Sequence, residues 1–253
     1  MTSVLALKLL LVPSLIGGIT LVGRRWGPVV AGWLSAFPVL AAPILLLLAL
    51  ERGITFAAAA AGGTLIAVLA ILVFGISYSW VAIRSSWRLS LVVAFGCYSG
   101  AVACLRLWEP SIFVAAPVVI LALVMVGFLF PQPSPRVAST VSPEHIVWRM
   151  LAGAALVVFV TQFSSRLGPV LSGMMAMFPV MLSVLAVSSH RSAGAGYAVG
   201  LIRGAILGYF AFAAFCLVLA LSLPSVGIGA SFGAALGCAL IVQLVSRSWL
   251  KRS

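Results

Sequence analysis

The sequence predicts an all-α polytopic membrane protein of about nine transmembrane helices, built as two inverted four-helix repeats plus one linking helix. Three observations carry that expectation. The 253 residues are 64% hydrophobic and only 7% charged, with a mean hydropathy of +1.28, whereas soluble domains are about half apolar and about a quarter charged. The apolar residues fall in runs of roughly 20, enough for a helix rising about 1.5 Å per residue to cross a hydrocarbon core about 30 Å thick. The chain also resembles itself at one fixed spacing.

The expected spans, in order, are 4–22, 28–50, 55–83, 89–107, 110–130, 147–163, 169–189, 195–222 and 225–246. Residues 1–22 lack a basic leader region and an A-x-A cleavage site, so they read as a retained first helix and not a signal peptide. The third and eighth segments are longer than a crossing requires and must tilt, kink or project. The polar stretch 131–146 (PQPSPRVASTVSPEHI) reads as an exposed linker. Three units follow: a first four-helix repeat over 1–109, a linking helix and linker over 110–146, and a second, inverted repeat over 147–253.

Orientation comes from the bias of basic residues. Arg24, Arg25, Arg84, Arg88, Arg136, Arg149, Arg191, Arg247, Lys251 and Arg252 fall in alternate loops and the tail; Lys8, Arg52, Arg106 and Arg166 fall on the other side. The positive-inside rule then puts the amino terminus outside and the carboxyl terminus in the cytoplasm of a bacterial inner membrane. Basic residues scattered at helix ends do not form the clustered soluble face that nucleic-acid binding needs, so no nucleic-acid partner is expected. Cys97, Cys104, Cys216 and Cys238 all sit in apolar runs and read as packing residues.

The repeat is clearest in RWGPVVAGWLSAFPVL (25–40) and RLGPVLSGMMAMFPVM (166–181). A single ungapped shift carries Arg25 onto Arg166, Gly27–Pro28 onto Gly168–Pro169, Gly32 onto Gly173, and Phe37–Pro38 onto Phe178–Pro179. It also carries Thr20 onto Thr161, Gly53 onto Gly194, Gly63 onto Gly204, and Trp108 onto Trp249. Because the fifth span has no counterpart, an odd number of crossings precedes the second copy, which therefore enters the membrane in the opposite sense. Inverted duplications of this kind are common in secondary transporters, whose sites lie at the repeat interface near the midplane.

Within each copy, Pro28 or Pro169 suits the first turn of a helix. Pro38 or Pro179 follows ten residues later, roughly 15 Å deeper and near mid-membrane. An internal proline lacks an amide hydrogen and clashes with the carbonyl four residues back, which is expected to free the carbonyls of Leu34 and Met175 for a ligand, an ion, water or a side chain. Small residues around Gly32 and Gly173 let helices approach closely.

Arg25 and Arg166 stand before helix starts, where a guanidinium beside free amide groups suits an anion. Arg203 lies about 12 Å inside the eighth span, where arginine normally faces a partner or a wet cavity. His145 and His190 read as interfacial. Thr20, Thr161 and Gln162 read as interhelical hydrogen-bonding residues, and most of the tryptophans as markers of the membrane interface. Glu51, Glu109 and Glu144 are the only acids and Asp is absent. No metal-ligand spacing, nucleophile elbow, P-loop or Rossmann fingerprint occurs, so the expectation is a non-enzyme with no cofactor and no metal.

The small-residue, F-P, apolar element (AGWLSAFPVL and SGMMAMFPVM) resembles one in small bacterial membrane proteins of the GlpM-like type. The likeness covers about ten residues per copy. It implies a bacterial inner-membrane protein made by duplicating a smaller four-helix unit, and it carries over no substrate. The functional expectation is a secondary transporter, permease or flippase for a small anionic or amphipathic solute. Its substrate-binding residues would be Gly32, Phe37, Pro38, Gly173, Phe178, Pro179, Arg203, Arg25 and Arg166, and its partners membrane lipid and the solute, with self-association into a homo-oligomer left open. The alternatives are a channel, or a non-transporting subunit or scaffold of an envelope or lipid-modifying complex.

Overall fold

The computed structural model describes residues 2–108, 110–131, 147–155 and 178–250. Every regular element among them is an α-helix: α1 (Thr2–Trp26), α2 (Pro28–Ser35), α3 (Ala41–Arg52), α4 (Ile54–Ala82), α5 (Trp87–Arg106), α6 (Ile112–Leu129), α7 (147–155), α8 (Val180–Ala193), α9 (Ala195–Val226) and α10 (Ile228–Leu250). Six of them, namely α1, α4, α5, α6, α9 and α10, are long and apolar enough to cross a membrane. The fold is thus that of an all-helical, membrane-embedded protein.

The expected second span is not one helix. The chain breaks between Ser35 and Ala41, so segment 28–50 becomes α2 and α3. Pro38 has no amide hydrogen to continue the ladder. Instead the Phe37 N–H donates to the Leu34 carbonyl (3.2 Å), the Val39 N–H to Phe37 (2.7 Å) and the Ala42 N–H to Pro38 (2.9 Å). The freed Leu34 carbonyl expected from the sequence is therefore already engaged, because the chain tightens into a shorter turn at that point. α7 covers the start of the expected span 147–163 and α8 the end of 169–189. Residues 156–177, including Thr161, Gln162, Arg166, Gly168, Pro169, Gly173 and Met175, lie outside the described residues, as do Glu109, Glu144 and His145.

Single glycines join four of the helix pairs. Gly27, Gly53, Gly194 and Gly227 each stand alone between two helices with φ between 81° and 91°. A side chain there would meet its own backbone, so these one-residue joints depend on glycine.

α4 and α9 form the centre of the bundle. α9 packs against α2, α4, α6, α8 and α10, and α4 against α3, α5, α6 and α9. The two run antiparallel. Gly75 of α4 faces Ile202 and Ile206, while Tyr78, one turn further on, reaches His190, just before α9 begins. α2 runs alongside α9 in the same sense, with Pro28 against Gly200 and Trp33 against Gly208. α3 ends where α4 begins, at the opposite end of the bundle from the start of α2. The broken pair α2–α3 therefore traverses the bundle and does not double back.

Candidate functional site

The α2–α9 contact is made backbone to backbone. α9 carries glycines at 200, 204 and 208, one turn apart. A Cβ on Gly204 would collide with the Val29 carbonyl, and one on Gly208 with the Trp33 carbonyl. From the other side, a Cβ on Gly32 would strike the backbone of Leu201 and Ala205. Gly32 is thus a packing residue that seats α2 on α9, as small residues do where helices meet in lipid.

The end of α2 is then held by α10. With Phe37 bonded to Leu34, the carbonyl left without its helical partner is that of Trp33. It accepts from Gln243 Nε2 at 2.9 Å, while Trp33 Nε1 donates to Ser246 Oγ at 2.9 Å. Trp33 is buried and does not mark the membrane interface as most of the tryptophans were expected to. Gln243 is not among the residues expected from the sequence, although an amide inside an apolar run is a signal that could have found it. Pro38 is buried and Phe37 half-buried against the core.

The turn at Phe178–Pro179 closes as the one at Phe37–Pro38 does, with Val180 N–H to Phe178 O (2.6 Å) and Ser183 N–H to Pro179 O (2.8 Å). Its surroundings differ. Phe178 stacks on Phe95 (ring centroids 5.2 Å apart) and meets Tyr98 edge-on (5.5 Å), both on α5. Beyond the turn, α8 borders a cavity of about 940 Å³ between α5, α7 and α8. Ser183, Ser188 and Ser192 line it along α8, a run of about 14 Å. Leu91, Phe95, Val184, Val187, Ala152 and Ala155 make its apolar wall, and Trp148, Arg149 and Arg191 also line it.

Arg149 was expected at the edge of the linker as an orientation charge. It sits instead inside α7 and is only 3% exposed. Its Nη2 donates to Ser192 Oγ (3.1 Å) and its Nη1 to Thr20 Oγ1 (3.4 Å). Thr20 therefore does bridge helices, by accepting from Arg149, while its own hydroxyl donates to the Ile16 carbonyl within α1. The sequence signal for Arg149 was its place after Trp148 in an apolar run, which reads equally as an interfacial anchor.

Of the expected site residues, Gly32, Phe37, Pro38, Phe178, Pro179, Arg203 and Arg25 are described, and none of them lines the cavity. Phe178 reaches it through Phe95. Arg203 is half-buried on α9. Arg25 is exposed, its guanidinium over the ring of Trp26 at 5.5 Å. Among the described residues no group of His, Cys, Asp and Glu could hold a metal ion.

No family model, curated protein or solved structure matches the chain. The geometry alone carries the functional reading.

Proposed function

We propose that the chain is a secondary transporter, permease or flippase for a small anionic or amphipathic solute, built from two inverted four-helix repeats. The observation that carries this reading is the cavity along α8. It joins a basic end, at Arg149 and Arg191, to an apolar end beside the broken backbone at Phe178–Pro179. A site with charge at one end and hydrocarbon at the other suits a solute with the same division.

The repeat is supported by coincident joints. The shift that carries Arg25 onto Arg166 also carries the start of α4 onto the start of α9, the start of α5 onto that of α10, and the end of α3 onto that of α8. Gly53 falls on Gly194, with φ of 91° and 86°. Inversion is supported by the antiparallel run of α4 and α9. The end of the bundle that holds Arg24, Arg25, Arg84, Arg88, Arg149 and Arg191 is the richer in basic residues, and we place it in the cytoplasm of a bacterial inner membrane. Resemblance to GlpM-like proteins in the two F-P elements agrees with this placement.

Reconstitution tests the reading. Proteoliposomes holding the full chain should move a fluorescent short-chain anionic lipid or a radiolabelled organic anion across the bilayer. The Pro38→Ala plus Pro179→Ala protein should still reach the membrane and should lose that flux. Undiminished flux in the double variant would remove the broken helices from the mechanism. Unitary ion currents would favour a channel, and a stoichiometric co-purifying protein without flux would favour a scaffold.

A further inference from the structure

We infer that Arg149, which lines the basic end of the cavity, and Arg24 beside it on α1 form a seat for an anionic phosphate or carboxylate group, with the ligand's apolar part lying along Phe95, Val184 and Val187. Neither arginine belongs to the site that the sequence suggested. This assignment deepens the transport reading and rests on it for the role of the bound anion.

Arg149 is almost wholly buried, and its two hydrogen bonds go to neutral oxygens. Thr20 and Ser192 each spend their own proton on a carbonyl of their own helix, at Ile16 (2.7 Å) and Ser188 (2.8 Å). Each hydroxyl can therefore only accept from Arg149, and neither brings a compensating charge. The Arg149 Nε is buried with no hydrogen-bond partner.

Arg24 lies one turn beyond Thr20 on α1, and its Nε and Nη2 are likewise buried without partners. The two guanidiniums are close enough to repel one another. Tyr197, which donates to the Gly23 carbonyl at 3.0 Å, stands near both.

A buried guanidinium beside a second, half-buried one is expensive in a protein interior and more so in lipid unless an anion meets them. Glu51 is the only acidic residue among the described residues. It lies at the end of α3, across the bundle from where Arg149 meets Ser192. A guanidinium fixed by two hydroxyls, with its Nε–H unspent, is preorganised for a charge-assisted bond to an oxyanion. The adjoining cavity supplies room, and because its serines donate to carbonyls of α8, the guanidinium is the donor left for the anion.

The test is calorimetric titration of the purified full chain in neutral detergent with three probes: dioctanoyl phosphatidic acid, inorganic phosphate and uncharged dioctanoylglycerol. The phosphatidic acid should bind and the dioctanoylglycerol should not. Arg149→Gln should weaken binding about tenfold or more, the loss of one charge-assisted hydrogen bond. Arg24→Gln should weaken it severalfold, and Arg247→Gln, at the same end of the bundle but outside the cavity, should leave it unchanged. Arg24 Nε and Nη2 hold no partner and Arg24 bonds no side chain among the described residues, so Arg24→Gln keeps the test decisive if Arg149→Gln does not fold.

Binding of inorganic phosphate at similar strength identifies a free anion as the ligand, and binding of the amphiphile alone identifies a head group; either supports the seat. Equal binding of dioctanoylglycerol, or wild-type affinity in both arginine variants, overturns it. So does binding that appears only in Glu144→Gln, because the seat would then belong to the chain's own carboxylate. Intact binding without flux in proteoliposomes would sink the transport reading and leave the seat. Flux that survives both arginine substitutions would do the reverse.

Discussion

The turns at Phe37–Pro38 and Phe178–Pro179 close with the same two kinds of hydrogen bond, yet the helices that follow them meet different surroundings. α3 reads AAPILLLLALER, and its neighbours α4 and α10 close on it. α8 reads VMLSVLAVSSHRSA, with serines at 183, 188, 189 and 192 where α3 has Ala42, Leu47, Leu48 and Glu51. Before the first turn, the released carbonyl of Trp33 is capped by Gln243. At the sequence shift that carries Arg25 onto Arg166, the aromatic pair around the second turn, Phe95 and Tyr98, falls on Leu236 and Ala239 of α10. One backbone device thus serves as a joint capped from α10 at the first turn and adjoins a cavity at the second.

The largest effect should come from the seam that both halves share. Gly204→Leu places a side chain on the Val29 carbonyl, where overpacking costs about 3 kcal/mol or more. Loss of monodisperse protein on gel filtration is the expected outcome. Gly237→Ala, on α10 with open space around its position, should be neutral or stabilising by up to about 1 kcal/mol. Equal tolerance of both changes would show that the α2–α9 contact is not close.

The two prolines separate the halves next. Pro179→Ala alone should reduce flux more than Pro38→Ala alone, because only the second turn adjoins the cavity through Phe178 and Phe95. A larger loss from Pro38→Ala would reverse the assignment of the working half.

Gln243→Leu should then cost about 1–3 kcal/mol of stability, the penalty of leaving the buried Trp33 carbonyl without its donor. Thermal unfolding in detergent reads this directly. An unchanged midpoint would mean that water or a relaxed backbone takes the place of the amide.

The smallest effect concerns His190, at the carboxyl end of α8. Burial holds its pKa below the usual histidine value, and its Nδ1 lies 3.3 Å from Tyr78 Oη. The unfolded chain therefore binds this proton more readily than the folded one. Stability is fully present above about pH 6.5 and declines as pH falls below it, toward the lowered folded value. The unfolding midpoint should drop modestly between pH 7.5 and 5.5, and the drop should shrink in His190→Gln. An identical drop in the variant would assign it to other groups.

Much of the fold is legible in the sequence. Composition implies a helical membrane protein and the repeat pairs Gly27, Gly53 and Pro38 with their counterparts, but that these glycines are one-residue joints and that Pro38 divides the span 28–50 into two helices is seen only in the structure. What the sequence did not disclose was which proline breaks a helix. Pro117 sits inside α6 and Pro224 inside α9, whereas Pro38 divides α2 from α3, where a side chain from α10 receives the released carbonyl. The expected set of site residues shared the same blindness. Gly32 reads both as a residue of close helix approach and as a site residue, and the structure uses it to seat α2 on α9, because small residues serve close packing and open space equally well. Arg149 was read as an orientation charge, since burial depends on neighbours far away in the chain.

By itself, then, the sequence determined the solvent, the helical class and the places where the backbone must turn. Those follow from local chemistry: hydrophobic length, glycine's access to positive φ, and proline's missing amide hydrogen. Only the tertiary structure decided which turn is sealed by Gln243 and which adjoins a cavity, and that Arg149 of the many arginines is buried, with Arg24 beside it. Such outcomes depend on residues more than a hundred positions apart meeting across the bundle, where a polar group without a partner is costly and its partner is therefore part of the architecture.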